Sequence, residues 1–187
     1  MTLIETPRTV LRDMTADDAP FILDLLNQPT FLRYIGDRQV RTMHDSVQFI
    51  ETRYRQSYRD HGYGLYIVQL RDTSQPIGMC GFVKRAGLPC ADMGFAFLPA
   101  FEGHGYASES AIAALQFGRD TLGLRDLLAI AQPDNVRSHR LLQRLGFAST
   151  GELTLPGETA PVTVFALSLV PTPPSVGPSD DATGCAE

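Results

Sequence analysis

The stretch from residue 98 to residue 110 constrains the fold more than any other part of the sequence. It reads LPAFEGHGYASES, in which a predicted strand ends, two glycines stand two positions apart and a predicted helix begins. Gly103 and Gly105 let backbone amides approach a ligand without obstruction by side chains, and the first N–H groups of a helix can bind phosphate oxygens. The stretch predicts either a diphosphate cradle or an ordinary strand-to-helix turn, and taken alone it favours the turn.

Two well-known phosphate-binding loops are excluded by their spacing. A P-loop requires Lys followed by Ser or Thr directly after its last glycine, whereas Tyr106 and Ala107 follow Gly105. A dinucleotide-binding fingerprint requires a third Gly or Ala where Ser108 stands, and an acidic residue ending a second strand about twenty residues further on. The segment satisfies neither pattern, so a nucleotide-phosphate enzyme of these two kinds is not expected.

The rest of the chain alternates strand-like and helix-like patterns around this loop. Apolar residues at helical spacing, with Thr15 capping the first helix and Pro29 ending it, predict helices at 15–29, 45–60, 105–123 and 135–145. Strand-like runs occupy residues 8–13, 63–72, 76–85, 91–99, 126–132, 147–155 and 161–169. This order predicts an α/β (α+β) domain with a single mixed sheet flanked by helices.

The charge of the chain is concentrated at its carboxyl end. The formal net charge is −5, but Asp180, Asp181 and Glu187 lie among the last eight residues, and without them the chain is close to neutral. The body lacks the basic excess that binding to a phosphate backbone requires, so no nucleic-acid partner is expected. The Pro- and Gly-rich segment 171–187 is predicted to be a flexible tail that follows a domain formed by residues 1–170.

Cysteine and hydropathy patterns exclude several other classes of protein. The three cysteines are an odd number without close spacing, and the four histidines lack metal-ligand spacing, so neither a disulfide framework nor a metal site is expected. No apolar run approaches the length that spans a bilayer, and no signal-peptide pattern opens the chain. We therefore expect a soluble, cytoplasmic protein with no membrane partner.

Several segments together resemble the GNAT superfamily of acyl-CoA N-acyltransferases, and especially its RimJ/RimL-like branch. They are TPRTVLRDMTADDA at 6–19, LRYIGDR at 32–38, ADMGFAFLPAFEGHGYASES at 91–110 and AIAQPDNVRSHRLLQRLGF at 129–147. The most specific signal is the order of the glycine loop, Asn135 and the later LGF. The resemblance covers roughly residues 6–169 and implies a mostly antiparallel sheet with a splayed acyl-CoA-binding cleft.

The resemblance also implies a cosubstrate, acetyl-CoA, and no metal. Its diphosphate is expected on the loop amides, which belong to Gly103, His104, Gly105, Tyr106 and Ala107. Its pantetheine arm is expected beside the fourth predicted strand, at Phe95, Ala96, Phe97 and Leu98, with Asn135 and Ser138 facing the arm. Asn135 is also expected to cap the helix at 135–145. One departure concerns Ala100, because the family commonly has Gln or Arg at this position.

Two side chains are candidates for catalysis. Ser138 shares the apolar face of the helix at 135–145, where its hydroxyl either bonds the preceding turn or serves the leaving thiolate. Many GNAT relatives place a Tyr general acid where Leu142 stands, so the resemblance favours Ser138 as the proton donor. Strand alternation puts Asp92 on the face of Gly94, either as a general base in an acceptor cleft or as an exposed acid at the strand start.

Three further polar residues are weaker candidates for a functional role. Glu109 lies at the start of a predicted helix, where a negative charge is favourable for structural reasons alone. Tyr34 and Glu152 are weaker candidates for the acceptor site. The thioester carbonyl is expected to be polarised by a backbone amide of the fourth strand rather than by a side chain.

Two functions follow from this sequence. The first is an N-acetyltransferase that moves an acetyl group from acetyl-CoA directly to a primary amine of a protein N-terminus or a small molecule, without a covalent enzyme intermediate. The alternative is a non-catalytic acyl-CoA-binding or regulatory GNAT-like module, favoured by the departures at Ala100 and Leu142. The acceptor is not selected by any motif, and a homodimer is left open.

Overall fold

A computed structural model of the protein describes residues 3–170, in which eight strands form one sheet. The strands are β1 (Leu3–Glu5), β2 (Thr9–Arg12), β3 (Leu65–Leu70), β4 (Pro76–Val83), β5 (Asp92–Phe97), β6 (Asp126–Ala131), β7 (Ala148–Leu153) and β8 (Val162–Ser168). Their spatial order is β1-β2-β3-β4-β5-β6-β8-β7, and only the β5/β6 pair is parallel. The predicted single mixed sheet is confirmed, and the predicted tail lies outside the described residues.

Six α-helices flank the sheet in the described part of the chain. They are α1 (Ala19–Leu26), α2 (Pro29–Tyr34), α3 (Met43–Phe49), α4 (Gln56–His61), α5 (Tyr106–Asp120) and α6 (Val136–Arg144). A π-helical segment, Ile50–Arg55, joins α3 to α4 without a break, so the helix predicted at 45–60 is confirmed. The seven predicted strands are also present, whereas β1 was not predicted because three residues are too few to show an alternating pattern.

The prediction that Pro29 ends the first helix is wrong. Helix α1 already ends at Leu26, and Pro29 is the first residue of α2, with Gln28 in an extended conformation before it (φ −62°, ψ 138°). A residue before proline avoids the helical region, whereas proline itself fits the first helical position because it has no N–H to satisfy. Thr15 caps the 3₁₀ turn that precedes α1, and its amide donates to Oδ2 of Asp18 at 2.8 Å.

Each face of the sheet buries its own apolar core. Helix α5 covers one face, where Ala111 and Ala114 pack with Phe82 and Met93. Helices α1 and α3 and the π-helical segment cover the other face, where buried side chains of these helices pack on Ile67 and Met79. Helices therefore cover both faces at the centre of the sheet.

Gly118 shows how closely α5 approaches the sheet. A Cβ added there would lie 2.6 Å from Cζ of the buried Phe82, which is well inside van der Waals contact. Glycine in a helix interior costs about 1 kcal/mol relative to alanine, so this residue is explained by the close packing and not by helix propensity. Ala111, Ala114 and Gly118 thus give the helix a face of small residues that permits this close approach.

Gly118→Ala is therefore expected to lower the free energy of unfolding, by about 1–3 kcal/mol, because overpacking outweighs the gain in helix propensity. Chemical denaturation of the variant and the wild type measures this difference. Combining Gly118→Ala with Phe82→Leu, and comparing it with Phe82→Leu alone, should reverse the sign, since the ring that meets the new methyl group is gone. A stabilising Gly118→Ala in the wild-type background would contradict this account of the packing.

Candidate active site

Strands β5 and β6 pair only near their amino-terminal ends. Their register contains a single pair, Asp92 with Leu128, and the amide of Leu128 donates to the carbonyl of Ala91 at 3.0 Å. Strand β5 is paired with β4 along its whole length, and backbone groups alternate between the two edges of a strand. The N–H and C=O groups of Phe95 and Phe97 therefore face a gap, without a strand partner among the described residues.

The four residues predicted to lie beside a cofactor arm line this gap in different ways. Phe97 is 8% exposed and Phe95 is half-buried, and both side chains pack on the face that α5 covers. Ala96 and Leu98 are half-buried on the opposite face of the sheet. Of these four residues, only Phe95 and Phe97 direct their backbone N–H and C=O groups to the gap, which suits an extended ligand that carries amides of its own.

The glycine loop lies at the carboxyl end of β5, where the gap is widest. Gly103 and Gly105 adopt positive φ angles of 79° and 84°, which L residues rarely adopt. The six amides from Gly103 to Ser108 donate to no described residue, and the amide of Glu109, bonded to the carbonyl of Gly105 at 3.0 Å, is the first with a partner. The predicted five amides thus belong to a run of six at the start of a 15-residue helix, a geometry that binds anions.

Arg8 contacts this loop and was not selected from the sequence. Its Nη1 donates to the carbonyl of His104 at 3.0 Å, its Nε donates to Oε2 of Glu109 at 2.7 Å, and its guanidinium lies 4.7 Å from the ring centroid of Tyr106. Residues 8 and 109 are far apart in the chain, so no local pattern indicates the contact. The charge of Glu109 thus has a specific partner, beyond the favourable helix position expected for it.

The pKa of Glu109 records this environment. Burial acts to raise it, but hydrogen bonds from the Thr6 hydroxyl at 2.6 Å and the Arg8 amide at 2.8 Å, together with the Arg8 guanidinium, outweigh burial. The result is a pKa below the usual range, so Glu109 is ionised at neutral pH. Its negative charge beside six free amides is balanced by Arg8.

Helix α6 begins after β6, on the other side of the gap. Asn135 caps it, because its Oδ1 accepts a hydrogen bond from the amide of Ser138 at 3.2 Å, as predicted. Ser138 is half-buried, and its hydroxyl bonds no other residue between positions 3 and 170, so the expected alternative of a hydroxyl bonded to the preceding turn is not observed. His139 Nε2 contacts the carbonyl of Gln132 at 3.0 Å, which fixes α6 to the end of β6.

Ion pairs connect the segments around the open end of the gap. Arg137 of α6 pairs with Glu102 of the glycine loop, and Arg33 of α2 pairs with Asp134 at 2.8 Å. Arg137 is 83% exposed, so its side chain spans the surface from one side of the gap to the other. The opening is therefore bordered by charged residues from three different parts of the chain.

Asp92 lies at the closed end of the gap and is 1% exposed, so the interpretation as an exposed strand-start acid is wrong. Its Oδ2 accepts a hydrogen bond from Nη2 of Arg85 at 3.2 Å, whereas its Oδ1 is buried without a partner in the described structure. Burial raises the pKa of Asp92, and the nearby Arg85 opposes this only in part. A buried carboxyl with one free oxygen is a group that can accept a proton.

The two weaker acceptor-site candidates lie in different places. Tyr34 is half-buried in α2, with the Arg33 guanidinium 5.0 Å from its ring centroid. Glu152 is exposed on β7, the edge strand, and β8 separates it from β6. Tyr34 therefore lies next to Arg33, whose ion pair with Asp134 connects α2 to the segment before α6. Glu152 lies away from the gap.

A parallel strand pair that separates beside a glycine loop and a helix start is the arrangement that the sequence resemblance implied. The sequence profile described as an acetyltransferase (GNAT) domain matches residues 8–148 of the chain. The chain belongs to the GNAT acetyltransferase family. The prediction of an N-acetyltransferase of this family is confirmed.

Relatives of this GNAT protein are found among sequences and among solved structures. The N-acetyltransferase YoaA of Bacillus subtilis strain 168 is 30% identical over 152 residues, which is 81% of this chain and 85% of YoaA. A GNAT-family acetyltransferase from Bacillus anthracis shares the fold with a TM-score of 0.74 at 24% identity, over 90% of this chain and 99% of that one. RimL, the ribosomal L7/L12 α-N-protein acetyltransferase solved with coenzyme A, has a TM-score of 0.72 at 17% identity, over 89% and 98% of the two chains.

Two features are absent from residues 3–170. None of the helices there is long and apolar enough to cross a membrane. The same residues contain no group of three or more His, Cys, Asp or Glu side chains that could hold a metal ion.

The raised pKa of Asp92 predicts a specific pH dependence of stability. The folded chain binds this proton more tightly than the unfolded chain, so the contribution of Asp92 falls as the pH rises from about 3.9 through the raised pKa. The difference in melting temperature, wild type minus Asp92→Asn, should therefore be more favourable to the wild type at acidic pH than at neutral pH. Calorimetry of both proteins from pH 4 to pH 8 measures it, and a difference that grows in favour of the wild type with rising pH would contradict the burial argument.

Proposed function

We propose that this GNAT protein transfers an acetyl group from acetyl-CoA directly to a primary amine. The observation that carries the proposal is the run of six amides, Gly103 to Ser108, that have no partner in the described part of the chain and lie at the open end of the gap between β5 and β6. These amides suit the diphosphate, and the backbone groups of Phe95 and Phe97 suit the amides of the pantetheine arm. Asn135 and Ser138 lie on the facing helix α6, and the similarity in fold to RimL solved with coenzyme A supports this placement.

The reaction requires a carbon–nitrogen bond to form while the carbon–sulfur bond of the thioester breaks. The neutral amine attacks the thioester carbonyl, whose developing negative charge is stabilised by the backbone N–H of Phe95 in the gap. The leaving thiolate accepts a hydrogen bond from the Ser138 hydroxyl, which is half-buried and unbonded within the described residues. As the hydroxyl passes its proton to sulfur it regains one from solvent, so Ser138 relays a proton and ends unchanged. A thiolate whose conjugate thiol has a pKa near 8.5 is a good leaving group and needs only this modest help.

Asp92 is the proposed acceptor of the proton that the amine loses. Its buried Oδ1 is free, and its raised pKa makes it a better base than an exposed aspartate. Strand alternation puts it on the same face of β5 as Gly94 and Ala96, which carry no side chain larger than a methyl group. An α-amine with a pKa near 7.7–8.0 is partly neutral at pH 7, so a weak base suffices for a peptide N-terminus.

Direct transfer is supported by the state of the two cysteines in the described chain. Burial raises the pKa of the Cys80 thiol to about 12, and it also raises the pKa of Cys90. Neither thiol is ionised at neutral pH, and the thiolate is the nucleophilic form. The acetyl group is therefore proposed to pass from sulfur to nitrogen without an acyl-cysteine intermediate.

The proposed acceptor is a protein N-terminus or a small primary amine, in keeping with the RimJ/RimL-like branch. A second candidate function, an acyl-CoA-binding module without catalysis, is favoured by one observation: Leu142 is 1% exposed and apolar at the position where many relatives place a Tyr acid. Thiol release from acetyl-CoA, measured with peptide N-termini, lysine, polyamines and aminoglycosides, separates the two. Binding of CoA without release for any acceptor would favour the module.

Binding of CoA is expected to stabilise the wild-type protein by about 2.7 kcal/mol at one hundred times its dissociation constant. Gly103→Ala should weaken this binding, since alanine disfavours the positive φ that directs the loop amides outward. Gly62→Ala is the matched control, because Gly62 has a similar φ of 74°, equally open surroundings and a position at the end of α4. Isothermal titration should show a larger loss for Gly103→Ala, and equal losses would contradict the role of the loop.

Ser138→Ala is expected to lower kcat by about tenfold to a hundredfold and to leave the dissociation constant of CoA nearly unchanged. The physical reason is that the hydroxyl acts on the leaving thiolate and not on the bound ground state. Steady-state kinetics with the best acceptor, together with CoA titration, separates the two effects. An unchanged kcat would show that Ser138 has a structural role only.

A further inference from the structure

We propose that Arg8 is a phosphate-binding residue of the cofactor site and that Glu109 holds it in place. This inference rests on the proposed function, since the ligand in question is the phosphate-bearing part of CoA. The glycine loop and the first turn of α5 supply amides but no cationic side chain: residues 98–110 contain two glutamates and neither Lys nor Arg. A ligand with several phosphate charges would bind more tightly to this site if another segment supplied a cation.

The guanidinium of Arg8 has donors left for a ligand. Its Nε and Nη1 are used by Glu109 and by the carbonyl of His104, whereas Nη2 donates to no residue within the described chain. A Cβ added to Gly105 would lie 3.3 Å from this Nη2, so the free nitrogen is next to the free amides. The side chain of Arg8 is 48% exposed, which leaves Nη2 accessible from solvent.

The position of Arg8 is fixed by a network that reaches into the sheet. Glu109 is 18% exposed in its side chain and accepts hydrogen bonds from Thr6 Oγ1 at 2.6 Å, from Arg8 N at 2.8 Å and from Arg8 Nε at 2.7 Å. Thr6 is hydrogen-bonded in turn to Thr9, and the Thr9 hydroxyl lies 3.2 Å from that of the buried Ser110. A guanidinium held by this many contacts loses little conformational entropy when a phosphate binds.

The ion pair also explains how an acidic residue is tolerated at this site. Glu109 is the fourth residue of α5, directly after the amides that would bind phosphate. An unpaired carboxylate there would repel an anionic ligand, and Arg8 removes that repulsion while it presents Nη2 to the ligand side. The contact of the guanidinium with the Tyr106 ring, at 4.7 Å, further limits its orientations.

The test compares three ligands by isothermal titration: CoA, 3′-dephospho-CoA and pantetheine, which has no phosphate. Arg8→Met should weaken the binding of CoA by about tenfold or more, as expected for the loss of a charge-assisted hydrogen bond. The binding of pantetheine should not change. The loss for 3′-dephospho-CoA should equal that for CoA if Arg8 contacts the diphosphate. Arg41→Met is the matched control, because the side chain of Arg41 is similarly exposed at 49% and is paired to Asp37 in a different surface segment. The CoA affinity of this variant should equal that of the wild type.

Arg8→Gln is the second variant, because it keeps a donor for the His104 carbonyl without the charge. It should show the same loss for CoA as Arg8→Met, and CoA binding by both variants should depend less on salt than that of the wild type. If the wild type binds CoA and the Arg8 variants bind it equally well, the proposed role of Arg8 is wrong. The same conclusion follows if the variants lose affinity for pantetheine as much as for CoA. Either result leaves the proposed function intact. A wild-type protein that binds no CoA overturns the proposed function, and this inference with it.

Discussion

The separation of β5 from β6 is the constraint on which the site depends. The two strands share one register pair, Asp92 with Leu128, and beyond it the β5 backbone has no strand partner on that edge among residues 3–170. Unpaired backbone groups inside a protein are costly unless a ligand or water satisfies them, so the gap is a binding feature of the sheet itself. Helix α5 links the two strands and packs closely through Gly118, and its first turn points free amides at the open end of the gap. The same crossover thus lies beside the gap and supplies amides that have no partner among the described residues at its open end.

Charge at the two ends of the gap is arranged differently. At the open end, Glu109 is kept ionised by Thr6 and Arg8, so a carboxylate can lie next to the amides without making the loop negative. At the closed end, Asp92 is buried beside Arg85 with one oxygen free, so its proton is held more tightly than usual. One carboxyl group is therefore held ionised beside the Arg8 guanidinium at the glycine loop, and the other is buried with a raised pKa.

Much of the fold was predictable because it depends on local patterns. Alternating and helical spacing gave seven of the eight strands and the main helices, and the cap at Asn135 followed from residue type and position. The break near Pro29 was found, but the helix that begins there was not, since proline favours both the end of one helix and the first turn of another. Of the candidate site, the glycine loop was found for the same local reason, as its positive φ angles require glycine.

The sequence by itself determined the order of the elements, the loop that frees its amides, and the resemblance to the GNAT family. The tertiary structure decided which distant residues meet. Arg8 and Glu109 are brought together only when β2 packs beside the first turn of α5, and Asp92 is buried only in the packed sheet, where Arg85 donates to it. The physical reason is that backbone conformation is set by neighbours in the chain, whereas burial and charge pairing are set by neighbours in space.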